Sequence, residues 1–221
     1  LVWAAYFLDA QFYYNYDTKV EDLTGKGNYL EKPASGSSDA VNTPYGLYLN
    51  GRTVKLPPNS YAGISNPIVI NKGDNFSNGI FVRCLPGKPG NVSREILTFS
   101  TASVVRFQLR MKQAPETATS VNFELVSNFG TQGMLPSVAY QINSWFFFNV
   151  QVNPKPGGKS TLVMCINAKS AGTLSLNNKF PKDTTKNYLN GEHTTGIYYW
   201  YKFFDNKSEC DGFPGMYKVG A

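Results

Sequence analysis

From Val105 to Lys112 the chain reads Val-Arg-Phe-Gln-Leu-Arg-Met-Lys, with every odd position apolar and every even one polar. A strand sends successive side chains to opposite faces, so strict alternation describes a ribbon with one buried and one wet side, whereas a helix would spread the same residues around its axis. Val121, Phe123 and Leu125 repeat the pattern against Asn122 and Glu124. So do Phe146, Phe148, Val150 and Val152 against Asn149 and Gln151, with Phe147 interrupting the polar side, and Ile80, Val82 and Cys84 against Phe81 and Arg83. No stretch beyond about ten residues carries a convincing helical stripe. The expected fold is all-β, a sandwich of two antiparallel sheets built from a dozen or so strands.

Turn chemistry divides these runs. Asn50-Gly51 between Tyr45–Leu49 and Arg52–Leu56 reads as a type I′ hairpin, because that pair readily takes positive φ. Gly157-Gly158 and Ala171-Gly172 are expected to punctuate later strands, over Lys159–Asn167 and Thr173–Leu176. Prolines, among them Pro86, Pro136, Pro154 and Pro156, are placed between strands. Ile197–Phe204 is bulky on both faces and belongs at the centre of a sheet or beneath a loop. With no compositional break and no repeat, residues 17–221 form a single sandwich domain, preceded by an N-terminal strand segment, residues 1–16.

Composition narrows the function. Charged residues make up 16% of the chain, against about 25% in an ordinary soluble domain, and asparagine, serine and threonine supply the polarity instead. The net charge of +6 is scattered rather than clustered, which argues against nucleic acid. Apolar runs such as Leu1–Leu8 are too short to span a bilayer, and with no charged segment before it that run is not read as a signal peptide. A single histidine, His193, and three cysteines exclude His-rich and Cys-rich zinc sites and argue against a histidine-based triad. Cys84 and Cys165 read as small buried hydrophobes in strands and Cys210 lies in a polar tail, so at most one intramolecular disulfide can form. Sequons at Asn75, Asn91 and Asn206 stand in turn-like contexts and, with the low charge, place the protein outside the cell or on its surface as a glycoprotein.

Two surfaces are candidates for interaction. The leading one is the chain end: Leu1, Val2, Trp3, Tyr6, Phe7, Phe12 and Tyr14 gather large apolar groups that can complete the chain's own sheet or add a strand to another copy. The alternative is a glycan-binding face on the polar sides of the strands, with Arg83, Arg106, Gln108, Arg110, Asn122 and Asn149 as hydrogen-bonding groups. Phe81, Tyr48 and Phe147 would be its aromatic platforms. Strand order decides whether these side chains share a surface.

The order of short motifs resembles the laminin-G-like, concanavalin A-like jelly roll. The likeness is carried by Asp22-Leu-Thr-Gly25-Lys-Gly27-Asn28, Leu47-Tyr-Leu-Asn-Gly51, Asn78–Val82, Glu95–Phe99, the run opened by Trp145, and the closing segment from Tyr198 to Asn206. The resemblance implies a fold shared by lectins, adhesion modules and glycosidases. Catalytic members hold paired acids on one strand, and no such pair is present here. Members that bind Ca²⁺ use oxygen ligands in a rim loop, which points to Asp22, Asn28 and Asp74 with Asn75. Asx turns with glycine at positive φ account for those residues more simply, so no cofactor is expected. The reading is a non-catalytic extracellular structural or adhesive subunit, acting by self-association or with another extracellular protein. A lectin-like module is the alternative; neither nucleic acid nor membrane insertion is involved.

Overall fold

The computed structural model describes residues 12–15, 39–56, 75–87, 92–112, 118–129 and 133–205. Every regular element among them is a strand: β1 (Phe12–Asn15), β2 (Ala40–Thr43), β3 (Gly46–Asn50), β4 (Val54–Leu56), β5 (Phe76–Leu85), β6 (Arg94–Ser100), β7 (Val105–Lys112), β8 (Ser120–Ser127), β9 (Gly133–Gln141), β10 (Ser144–Lys155), β11 (Lys159–Ile166), β12 (Lys169–Leu176), β13 (Lys186–Leu189) and β14 (Thr195–Asp205). They form two antiparallel sheets, as the alternation predicts. One runs β12-β11-β10-β5-β14-β3-β2, with β1 continuing beside β14 past the end of β3; the other runs β4-β13-β6-β7-β8-β9. We call them the large and the small sheet. Among the described residues no helix is long and apolar enough to cross a membrane.

Between the sheets lies an aromatic core. Phe107, Leu109, Phe123, Leu125, Phe148 and Val150, the residues predicted to face inward, are all buried in it. Phe123 of the small sheet meets Phe146 and Phe148 of the large one edge-on at 4.8 and 4.7 Å between ring centres. Phe99 stacks on Phe107 at 4.7 Å and reaches Phe76 across the gap at 6.1 Å. Ring pairs at these separations add to what burial alone provides.

The turn expectations need correction. Asn50-Gly51 is not a hairpin: β3 lies in the large sheet and β4 in the small one, so the pair turns the corner between layers. Only Gly51 takes positive φ (71°), and a type I′ turn needs two such residues. Asn50 is held instead by its side chain, whose Nδ2 donates to Asp39 Oδ1 at 3.1 Å while its Oδ1 accepts from Thr195 Oγ1 at 2.9 Å. The β11–β12 turn falls at Asn167-Ala168, both left-handed (φ 52° and 65°), rather than at Ala171-Gly172. Gly172 lies inside β12, where Leu135 of β9 packs against its backbone and leaves no room for a side chain. Pro136 is within β9, the edge strand of the small sheet among the described residues, and Pro154 is near the end of β10.

The cysteines divide. Cys84 points into the core as a free thiol, and burial raises its pKa so that it stays neutral. Cys165 is disulfide-bonded, which corrects its reading as a plain hydrophobe. It alternates with the core residues Met164 and Ile166, so its sulfur stands on the opposite side of the sheet from the sandwich core.

Candidate functional site

The outer faces of the two sheets differ in kind. On the large sheet, Phe81, Phe147, Trp200 and Phe204 are buried yet stand apart from the inter-sheet core. Phe81 stacks on Trp145 at 5.1 Å and on Trp200 at 6.0 Å. Lys202 places its Nζ 3.7 Å above the Trp200 ring, and burial holds its amine well below the ordinary lysine range. This second aromatic layer explains why Phe147 breaks the polar side of β10 and why Ile197–Phe204 is bulky on both faces of its central strand.

It also splits the predicted glycan face. Phe81 and Asn149 are 1% and 0% exposed, and Arg83 is on the same large sheet; Phe147 is buried too, so none of the three buried residues can meet a ligand. Arg106, Gln108, Arg110 and Asn122 occupy β7 and β8 of the small sheet, on the other side of the molecule. The reason is strand order: β5 and β10 pair with each other and never with β7 or β8.

The outer face of the small sheet is polar and half open. Arg106 directs Nε to Asp183 Oδ1 at 3.1 Å, pairs through Nη2 with Oδ2, and lies 4.6 Å from the centre of the Phe129 ring. Arg110 donates from Nε to Glu124 Oε2 at 2.9 Å, and Lys112 Nζ stands 3.4 Å from Oε1 of the same carboxylate. Across the sheet the register aligns Lys55, Tyr188, Thr98 and Gln108 in one row and Glu95, Arg110 and Glu124 in the next.

At the β4–β13–β6 end this face deepens into a cleft of about 780 Å³. Its walls include Thr53, Lys55, Ser93, Glu95, Lys186 and Tyr188, with Glu192 and His193 from the β13–β14 loop. Tyr188 is half-buried and lines the cleft, with the exposed Lys55 opposite it in register and the exposed Lys186 two positions before it. Glu95 is also half-buried, its carboxylate set against Gly191 so closely that a Cβ there would displace it. The chemistry on offer is one aromatic platform, hydroxyls, and charges of both signs.

The loop carrying Glu192 and His193 is fixed from below. Asn190, fully buried at φ 63°, donates from Nδ2 to the carbonyls of Thr194 (2.8 Å) and Arg52 (2.9 Å) and accepts the Tyr198 hydroxyl at 2.9 Å. The buried Arg94 donates from Nη1 to the carbonyl of His193 at 2.7 Å. The positions of Glu192 and His193 are therefore set by the fold.

Sequence reasoning missed this site. Several of its residues come from β4 and β13, of three and four residues, too short to show a period, and others from a loop. The signals in these strands are Lys186 and Tyr188 alternating with the buried Asn187 and Leu189, and Lys55 between the buried Val54 and Leu56. Of the sequons, Asn75 is half-buried at the entry to β5 and its partner Ser77 is buried. Asn91, Asn206, the calcium candidates Asp22, Asn28 and Asp74, and the assembly candidates Leu1, Val2, Trp3, Tyr6 and Phe7 lie outside the described residues. Phe12 and Tyr14 are seen as backbone in β1, which pairs with Trp200–Phe203. Among the described residues no group of three or more His, Cys, Asp or Glu is arranged to hold a metal ion.

No protein-family model and no curated protein matches the chain. Solved structures do match its architecture. The binding domain of Paraclostridial mosquitocidal protein 1 is similar over 96% of this chain and 53% of its own, at 12% identity and a TM-score of 0.65. The binding domain of botulinum neurotoxin serotype G gives 95% and 51%, 14% identity and 0.60. The present chain thus spans about half the length of those domains. Domain 4 of an extracellular arabinanase from Geobacillus stearothermophilus, solved with arabinotriose, matches over 89% of this chain and 92% of its own, at 12% identity and 0.57. At such identities the likeness establishes the two-sheet sandwich.

Proposed function

We propose that this chain is a non-catalytic carbohydrate-binding module that works outside the cell or at its surface. The observation that carries the reading is the cleft on the small sheet, where Tyr188 offers a ring face between hydroxyl, carboxylate and ammonium groups. Sugars have apolar C–H faces that stack on aromatic rings and hydroxyl rims that need such partners. The arabinotriose complex of the arabinanase domain supports the reading by analogy of fold. Screening the purified chain against a glycan array, then titrating the best binder, tests it. Tyr188→Ala is expected to weaken that binder at least about tenfold, equivalent to one lost aromatic contact, with the unfolding midpoint unchanged. A chain that binds no glycan, or a variant that binds as well as the parent, would sink the proposal.

The second reading retains residues 1–16 as the means of assembly. It is favoured by β1, whose backbone occupies the edge of β14 that β3 leaves open; the same edge can take an identical strand from a second copy. Light scattering of residues 17–221 beside the full chain decides it, with loss of association expected. A fragment that still associates removes that segment from the interface. The laminin-G-like assignment is likewise a proposal, supported by the closing strand β14 lying beside the early strands β1 and β3.

A further inference from the structure

Resting on the carbohydrate reading of the cleft, we propose that its ligand is a neutral oligosaccharide held through hydroxyl groups, and that sulfated, sialylated and uronic-acid glycans are rejected. The net charge of +6 suggests the opposite, but the arrangement on this face does not. Recognition of an anionic sugar needs guanidinium or ammonium groups at liberty to fork onto it. Both arginines of the face are already committed, Arg106 through two bonds to Asp183 and Arg110 to Glu124, which also takes Lys112.

What remains in the cleft is balanced, Lys55 and Lys186 against Glu95 and Glu192. Lys55 and Lys186 are exposed, so water screens their charge. Glu95 is half-buried and, among the described residues, its carboxylate makes no hydrogen bond or ion pair. A carboxylate in a partly desolvated site acts over a lower effective dielectric than an exposed ammonium, so the field there is set by the acid. Such a group accepts hydrogen bonds and donates none, which suits a pair of hydroxyls and repels a carboxylate or sulfate. In the adjoining row the Thr98 hydroxyl is buried without a hydrogen-bond partner among the described residues.

The test is calorimetric titration of the full chain with two panels, neutral gluco-, xylo-, galacto- and arabino-oligosaccharides against heparin fragments, sialyllactose and oligogalacturonate, each at low and high salt. Binding confined to a neutral ligand, with an affinity indifferent to salt, is the expected result. Glu95→Gln should lower that affinity roughly 10- to 100-fold, the value of hydrogen bonds to a charged acceptor. Gly191→Ala, which displaces the carboxylate without removing it, should do the same. Preference for an anionic glycan, with affinity falling steeply as salt rises, would overturn the inference and leave the carbohydrate reading standing. Neutral binding that survives both substitutions also overturns it. Absence of binding to either panel refutes the carbohydrate reading itself.

Discussion

Asn190→Ala is expected to destabilise the protein by about 3 to 5 kcal/mol, read as a shift of the urea midpoint at constant slope. The side chain closes bonds to three carbonyls, the one to Gly191 the longest at 3.3 Å, and one hydroxyl, drawn from the corner after β3, the β13–β14 loop and β14. Its removal leaves those groups buried, at roughly 1 to 3 kcal/mol for each that finds no new partner. The residue also sits at φ 63°, a conformation that costs alanine about 1 kcal/mol more than asparagine or glycine. Asn190→Gly separates the two effects, since it relieves the backbone and still loses the bonds; it should recover only about that 1 kcal/mol. Tyr198→Phe removes a single bond and should cost about 1 to 2 kcal/mol. Were Asn190→Ala to cost less than Tyr198→Phe, the polar corner would not be the clamp described.

Phe123→Ala is expected to cost about 3 to 5 kcal/mol, the range for truncating a buried phenylalanine. The ring is fully buried and contacts Phe146, Phe148 and Tyr140 at 4.8, 4.7 and 5.7 Å between centres. Two of those partners belong to the other sheet, so the cavity would open in the seam that joins the layers. Strands hydrogen-bonded on both sides cannot close in easily to fill it. Phe123→Leu retains most of the volume and should cost under half as much. Equal losses for the two variants would mean that shape at this site counts for little.

How far the sequence discloses the molecule depends on the range of each interaction. Facing is local: Phe107, Leu109 and Met111 alternate with Arg106, Gln108 and Arg110, and the structure keeps every one on its predicted side. Sheet membership is not local. Nothing in the composition of β5 and β10 says that they pair with each other or that β5 pairs with β14, so Phe81 and Asn149 read as surface but are buried. Corners mislead for a related reason. Asn50-Gly51 has hairpin chemistry, but Asp39 and Thr195, the latter 145 positions away, hold the Asn50 side chain in the large sheet while the chain leaves through Gly51 for the other layer. The cleft was hidden because it is assembled from strands of three and four residues and a loop, with Glu95 and Tyr188 brought together only when β13 aligns with β6.

The contact between β12 and β9 limits what this molecule can build. Leu135 rests on Gly172 and Leu174 on Gly133, so the flanking strands of the two layers lean on one another along that side. A filament that grows by strand addition requires two open margins on every subunit, one to receive and one to offer. Among the described strands, β2 and β4 on the far flank and β1, which pairs only with β14, keep an open edge. Growth by strand addition would therefore draw on those edges, while β12 and β9 brace each other on the opposite side.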